Sequence, residues 1–171
     1  MKEIKNVVIC GAGMMGNMIA LVFSSCPDFN ITVWNRREKP CKEVIQANLE
    51  QLRDKGIITD AEVKERLDRI SFVFPDKGEE FKNADLVIEC VAEEIKTKQN
   101  LFIELEGICR DDCIFATNTS VMSPTEIASK CAHKERVVGT HFWNPGHLIP
   151  LVEVVKTADT TDENAQMTME A

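Results

Sequence analysis

The chain has 171 residues, 44% hydrophobic and 28% charged, which is typical of a globular protein and excludes a disordered one. Its length predicts a single domain over residues 1–171. The 20 basic and 28 acidic residues give a formal charge of -8, which argues against a general nucleic-acid binder. Seven cysteines without a CxxC pair favour free thiols in a reducing cytoplasm over a disulfide framework or a metal site.

Strand-like and helix-like runs alternate along the chain. In chain order the patterns predict a strand at 7–10, a helix at 14–23, a strand at 31–34, helices at 39–55 and 59–67, strands at 70–74 and 86–91, a helix at 97–109, a strand at 113–116, a helix at 124–131, strands at 137–142 and 151–155, and a helix from Asp162. This order is typical of βαβ units, so we expect an α/β fold with a Rossmann-like, doubly wound and mainly parallel sheet. The last helix is still open at Ala171, which suggests that the natural chain continues.

A mostly apolar stretch at 7–23 follows two lysines and so has the outline of a secretory signal. Gly11, Gly13 and Gly16 interrupt it, and glycines oppose a continuous helix. No other segment approaches the ~20 apolar residues that span a bilayer. We therefore expect a cytoplasmic protein with no membrane partner.

The run Gly11-Ala12-Gly13-Met14-Met15-Gly16 stands between the first predicted strand and the first predicted helix. In that context a GxGxxG motif predicts a dinucleotide site. Gly11 permits a tight turn, Gly13 lets the main chain approach a diphosphate, and Gly16 lets helix and strand pack closely. The helix start supplies free N–H groups to the anion. The alternative is a glycine-rich turn without a ligand.

The second predicted strand ends in Trp34-Asn35-Arg36-Arg37. A carboxylate at this place normally accepts hydrogen bonds from the ribose hydroxyls of NAD, and Asn35 stands there instead. Arg36 and Arg37 carry planar guanidinium groups that suit a 2′-phosphate, which makes NADP plausible beside NAD. The other reading is that Asn35 still binds the ribose and the arginines are a solvated pair.

Two further groups of polar residues stand at predicted strand ends. Thr117-Asn118-Thr119-Ser120 follows a strand and predicts either a ligand-facing edge or an ordinary capped turn. His141 and Glu153 lie on the last two strands, where a carboxylate could orient the imidazole for proton transfer. We expect the strand around Glu153 to be buried, so that the carboxylate needs a partner. His133 and His147 lack a comparable partner in the sequence and should be exposed.

Four segments together resemble the L-3-hydroxyacyl-CoA dehydrogenases: GAGMMG, VIECVAEEIKTKQNLF, ATNTS and GTHFWNPGHLIPLVEVV. The similarity runs over essentially the whole chain and matches the N-terminal NAD-binding domain of that family. It implies oxidation of a 3-hydroxyacyl thioester to the 3-ketoacyl form, with hydride passed to NAD. The cofactor would carry the hydride chemistry while the protein positions it and supplies the base.

The resemblance assigns roles residue by residue. His141 looks like the catalytic base and Glu153 like its partner. Ser120 looks like the residue that contacts both substrate oxygen and cofactor, and Asn144 like a ligand on the nicotinamide side. These four are the residues to which the family's catalytic chemistry carries over.

Further positions match cofactor and substrate contacts of the family. Glu93 and Lys98 match positions that touch the dinucleotide, although the residues alone suggest only a charge pair at a helix entry. Lys55 falls near a family lysine that contacts the CoA phosphate. Asn35 departs from the family's ribose-binding Asp, which puts the NAD preference in doubt.

The resemblance also concerns what this chain lacks. The family's C-terminal helical domain is absent; it supplies a further catalytic Asn and most of a dimer interface. We expect a homodimer for the full-length protein, and dinucleotide binding with little turnover for this chain alone. Because HFWNPGHLIPLVE differs from the more usual HFFNPVPVMKLVE, a small 3-hydroxy acid without CoA is an alternative substrate. A non-catalytic dinucleotide-binding module is the other alternative.

Overall fold

A computed structural model describes residues 3–145 and 149–171. The strands are Asn6–Cys10 (β1), Asn30–Trp34 (β2), Ile70–Val73 (β3), Leu86–Glu89 (β4), Ile114–Thr117 (β5), Val137–Phe142 (β6) and Val152–Lys156 (β7). The helices are Met14–Phe23 (α1), Cys41–Asp54 (α2), Asp60–Asp68 (α3), Glu79–Lys82 (α4), Ile95–Glu106 (α5), Pro124–Ala128 (α6) and Asp162–Glu170 (α7). Every predicted strand and helix is present with ends shifted by a few residues, and the four-residue α4 is an element that the sequence pattern does not predict.

The seven strands form one sheet in the order β3-β2-β1-β4-β5-β6-β7. Strands β1 to β6 are parallel, and β7 runs antiparallel to β6. This confirms the predicted doubly wound, mainly parallel sheet. The chain reverses its direction of winding between β1 and β4, and in doubly wound sheets the ligand crevice forms outside the carboxyl ends of the strands at such a reversal.

Both faces of the sheet are covered, because alternate side chains of each central strand enter different cores. Ile9 of β1 packs in one core with Ile19 of α1 and Ile45 of α2. Val8, its neighbour, packs in the other core with Phe102 of α5. Strands buried on both faces are apolar throughout. Polar side chains at the carboxyl ends of these strands are therefore candidates for ligand contact.

Helices α2 and α3 form a hairpin with a well-defined turn. Gly56 closes α2 with φ of 69°, in the left-handed region that favours glycine. The Thr59 hydroxyl accepts from the Glu62 N–H at 3.2 Å, and the Glu62 carboxylate accepts from the Thr59 N–H at 2.8 Å. This reciprocal capping box begins α3 at the predicted place.

All seven cysteines are free thiols. Cys26 and Cys90 are half-buried, and the other five are buried within the two cores. Over residues 3–145 and 149–171, no helix is both long enough and apolar enough to cross a bilayer.

Candidate functional site

The glycine loop, residues 11–16, follows β1 and leads into α1, and its three glycines have different structural roles. Gly11 has φ of 115°, and a Cβ on it would lie 2.5 Å from the carbonyl oxygen of Cys90. A Cβ on Gly16 would lie 1.8 Å from the carbonyl oxygen of Gly11. At Gly13, a Cβ would meet no atom of the described residues within 4 Å. Two glycines thus permit close packing, and the third leaves an open surface on the main chain.

The open surface at Gly13 suits an anion. Gly13 is the N-cap of α1 and has no side chain to occupy the first N–H groups of the helix. The first turn of α1 carries no acidic residue. Unpaired N–H groups and the positive end of the helix dipole favour a phosphate here. The loop therefore fits the diphosphate of a dinucleotide, in the space that a side chain at Gly13 would fill.

Asn35 connects the end of β2 to the glycine loop. Its Oδ1 accepts from the N–H of Ala12 at 3.2 Å, and its Nδ2 donates to the carbonyl oxygen of Arg37 at 2.6 Å. Both polar ends of the carboxamide are therefore engaged by the main chain. An aspartate could not donate the second hydrogen bond. Arg36 and Arg37 are exposed beside it.

A chain of hydrogen bonds joins Ser120, His141 and Glu153. The Ser120 Oγ lies 3.0 Å from Nε2 of His141, and Nδ1 of His141 lies 2.8 Å from Oε2 of Glu153. An ionised carboxylate only accepts, so Nδ1 carries the ring proton and Nε2 accepts from Ser120. Cross-strand pairing sets the geometry, because His141 on β6 is directly opposite Glu153 on β7. The imidazole therefore has a free base position that is already oriented toward a hydroxyl.

The structure differs from the expectation at Glu153 and, in part, at His133. The Glu153 side chain is 51% exposed, so the prediction of a buried strand there is wrong: β7 is the edge strand of the sheet. His133 is exposed as predicted, but its Nδ1 lies 3.1 Å from Glu135, so it does have a carboxylate partner. His147 lies outside the described residues.

A buried ion pair lies at the carboxyl end of β4, beside the glycine loop. The Lys98 ammonium is 2.7 Å from Oε1 of Glu89, and these side chains are 1% and 0% exposed. Glu89 also accepts from the Thr117 hydroxyl at 2.7 Å and from the Val91 N–H at 2.7 Å. Burial raises the pKa of Glu89, although the Lys98 charge opposes this shift. Sequence reasoning missed Glu89; a carboxylate within the apolar run VIEC was the available signal.

Glu93 extends this pair toward Ser120. Its Oε2 lies 3.0 Å from the Lys98 ammonium, and its other oxygen accepts from the Thr119 hydroxyl. The main-chain N–H of Ser120 also donates to the Glu93 carboxylate. Partial burial acts to raise the pKa of Glu93, but the Thr119 hydrogen bond and the Lys98 charge outweigh it, and the pKa is lowered. Glu93 and Lys98 thus form the charge pair at the entry of α5 that the residues alone suggest.

The remaining predicted residues surround the crevice or lie away from it. Met14 is 64% exposed on the first turn of α1, and Met15 is half-buried against the core. Asn144 is exposed beyond the end of β6, next to Trp143, whose ring centroid lies 5.7 Å from that of His141. Lys55 is exposed at the end of α2. The cofactor and substrate contacts expected of these residues stay predictions.

The doubly wound sheet and the glycine loop at its switch point define a dinucleotide-binding domain of the Rossmann class. The family model described as "3-hydroxyacyl-CoA dehydrogenase, NAD binding domain" matches residues 6–171. The chain therefore belongs to this family, as its motifs indicated.

Individual relatives agree with this family. A probable 3-hydroxybutyryl-CoA dehydrogenase of Bacillus subtilis is 36% identical over 166 residues, which are 95% of this chain and 57% of that protein. A peroxisomal fatty acid beta-oxidation multifunctional protein of rice is 33% identical over 95% of this chain, which spans 22% of the relative's length. The solved 3-hydroxybutyryl-CoA dehydrogenase of Escherichia coli superposes with a TM-score of 0.92 at 31% identity, over 99% of this chain and 36% of that one.

Proposed function

We propose that the complete protein transfers a hydride between the 3-hydroxyl carbon of a 3-hydroxyacyl-CoA and a nicotinamide cofactor. The observation that carries this proposal is the Ser120–His141–Glu153 chain of hydrogen bonds at the carboxyl edge of the sheet that also holds the glycine loop. A hydroxyl proton needs a base, and a carbon-bound hydride needs an acceptor. The two features together provide for both.

His141, Glu153 and Ser120 have separate roles in the proton transfer. Nε2 of His141 accepts the proton of the substrate hydroxyl as the carbonyl forms. Glu153 stabilises the imidazolium through the hydrogen bond at Nδ1 and keeps the ring in its tautomer. Ser120, which now donates to Nε2, is placed to donate to the substrate oxygen instead. The bound nicotinamide ring would accept the hydride from the carbon of the same group. Glu93 and Asn144 would hold the nicotinamide half.

The activity is tested in the full-length protein with 3-hydroxybutyryl-CoA and oxidised cofactor, by following the absorbance of reduced nicotinamide. We expect His141→Gln to lower kcat by about 10²–10⁴-fold and to leave cofactor affinity unchanged, because the variant lacks the base. His133→Gln is the matched control, since that histidine also pairs with a glutamate but is exposed away from the site. Turnover of free 3-hydroxybutyrate without CoA would favour the small hydroxy acid. Equal turnover by His141→Gln would rule out the assignment.

We further propose that NADPH binds more tightly than NADH. Asn35 is neutral and does not repel a 2′-phosphate, and its carboxamide is already hydrogen bonded to Ala12 and Arg37. The exposed guanidinium groups of Arg36 and Arg37 are available to grip that phosphate. Lys55, at the end of the α2–α3 hairpin, would contact the CoA phosphate.

Parallel titrations with NADPH and NADH test the cofactor preference. We expect the double variant Arg36→Ala/Arg37→Ala to weaken NADPH binding by about tenfold or more and to leave NADH binding within about twofold, because each charge-assisted hydrogen bond contributes about 1.5–3 kcal/mol. Added salt should weaken NADPH binding more than NADH binding. If the double variant lost affinity for both cofactors equally, or if the unaltered chain bound NADH more tightly, NAD would be the favoured cofactor and Asn35 would be assigned to the ribose.

The setting of the complete protein follows from the same chemistry and family. We propose that it is a homodimer, which sedimentation of the full-length protein tests. We also propose a reducing compartment such as the cytoplasm, because seven free thiols without a bridge suit a reduced environment. Imaging of the tagged full-length protein checks the location.

A further inference from the structure

We propose that Lys98, buried against Glu89, is a positioning residue that sets Ser120 against His141 by holding Glu93. Neither the charge pair that the residues alone suggest nor the dinucleotide contact that the resemblance implies gives Lys98 this role. The geometry assigns it an indirect part, because its ammonium group is enclosed between two carboxylates.

The first step is that Lys98 is fixed. Its side chain is 1% exposed, and its ammonium lies 2.7 Å from Glu89 and 3.0 Å from Glu93. Glu89 is itself held by Thr117 on β5 and by the Val91 N–H after β4. A buried ammonium held by two carboxylates at 2.7 Å and 3.0 Å cannot swing toward a ligand without leaving a carboxylate unpaired. Lys98 is thus a fixed anchor between α5 and the ends of two central strands.

The second step is that the anchor reaches Ser120 through Glu93. The Glu93 side chain is 40% exposed, so without Lys98 it would be free to move into solvent. Held in place, its carboxylate receives the Thr119 hydroxyl and the Ser120 N–H. The Thr119 oxygen in turn accepts from the Met122 N–H at 3.1 Å. The turn that carries Ser120 is therefore fixed on both sides, and its hydroxyl lies 3.0 Å from His141.

Stability and positioning can be separated with two variants. Lys98→Met removes the ammonium but leaves Glu89 buried without a cation, so we expect the melting temperature to fall by about 10 °C. Glu89→Gln/Lys98→Met also removes the buried carboxylate, so the melting temperature should largely recover. Glu93 lacks its anchor in both variants. Lys82→Met is the control, because it removes an ammonium from the exposed pair with Glu79 on α4.

The direct readout is heteronuclear NMR of the chain labelled at its histidine ring nitrogens, at a fixed pH where the rings are neutral. The chain has three histidines, and His141→Gln assigns the signal in question. We expect the Nε2 signal of His141 to move toward that of a free imidazole nitrogen in both Lys98 variants, while Nδ1 stays bonded to Glu153. Thr119→Val should do the same without touching the buried pair, which covers the case in which Lys98→Met does not fold.

The positioning role of Lys98 affects turnover only if the protein has the function proposed above, so the kinetic test rests on that function. In the full-length protein, both Lys98 variants should lose about 10²-fold in kcat with substrate KM within about twofold, as expected when a reacting group is displaced by about 1 Å. If the double variant recovers the His141 signal along with its melting temperature, Lys98 is only structural and the proposal is wrong. Loss of cofactor affinity with an unchanged His141 signal would also overturn it, in favour of direct contact. Absent turnover in the unaltered protein, with the NMR shifts as expected, would refute the activity and leave the positioning role standing.

Discussion

Adding one methyl group at Gly13 or at Gly16 should have opposite consequences. Gly13 has φ of −86° and ψ of −171°, an extended conformation that alanine adopts without strain, and its Cβ would project into open space. Alanine is a poorer N-cap than glycine, which costs up to about 1 kcal/mol of stability. Alanine also restricts the conformations of the unfolded chain, and this offsets about 0.4–1 kcal/mol of the cost. We therefore expect Gly13→Ala to melt within a few degrees of the unaltered chain.

The same methyl group at Gly13 would stand where the diphosphate approaches the main chain. Losing about two charge-assisted hydrogen bonds from the helix start removes roughly 3 kcal/mol, which corresponds to about a 100-fold weaker affinity. The assay is titration with NADPH and with NADH, followed by the fluorescence of the reduced nicotinamide. Both cofactors should lose affinity alike, because the diphosphate is common to them.

Gly16→Ala supplies the contrast. Its Cβ would lie 1.8 Å from the Gly11 carbonyl oxygen and 3.4 Å from the Ile9 side chain, so α1 would have to move away from β1. Overpacking against main chain costs about 3 kcal/mol or more, which lowers the melting temperature of a chain this size by about 10 °C. If Gly13→Ala kept its cofactor affinity within twofold, or melted like Gly16→Ala, the assignment of the loop to a diphosphate would be wrong.

Three further outcomes are expected. Glu153→Gln should lower kcat by about tenfold to 100-fold while cofactor affinity persists, because a neutral amide stabilises the imidazolium less well; unchanged turnover would exclude its role. Hydrogen bonds from Thr59 lower the pKa of Glu62 below its usual 4.5. The ionised Glu62 carboxylate therefore contributes fully to the stability of the fold above that pH, and this contribution disappears as the pH falls through the lowered pKa. Glu62→Gln should flatten this part of an acid-melting curve, and an unchanged curve would contradict it. A thiol reagent should modify Cys26 first in the folded chain and all seven thiols after unfolding. Cys90 is also half-buried, but desolvation raises its pKa, so fast reaction at Cys90 would contradict this prediction.

The sequence predicted those features that local pattern determines. Apolar runs bounded by glycine and proline marked the strands, and GxGxxG between a strand and a helix marked the loop. The exposure of Glu153 was beyond such patterns, because only the strand order makes β7 an edge. Helix α4 has four residues, too few to show a helical period. The pairing of Glu89 with Lys98 was equally hidden, since it depends on how α5 packs against the end of β4.

The antiparallel direction of β7 limits how this part of the chain can change length. His141 is opposite Glu153, with Val152 and Val154 on the other face of the sheet. A shift of β7 by one residue along β6 would turn a valine toward the imidazole, because successive side chains of a strand point to opposite faces. Natural length variation should therefore occur in the connection between β6 and β7, and not within the paired residues of either strand.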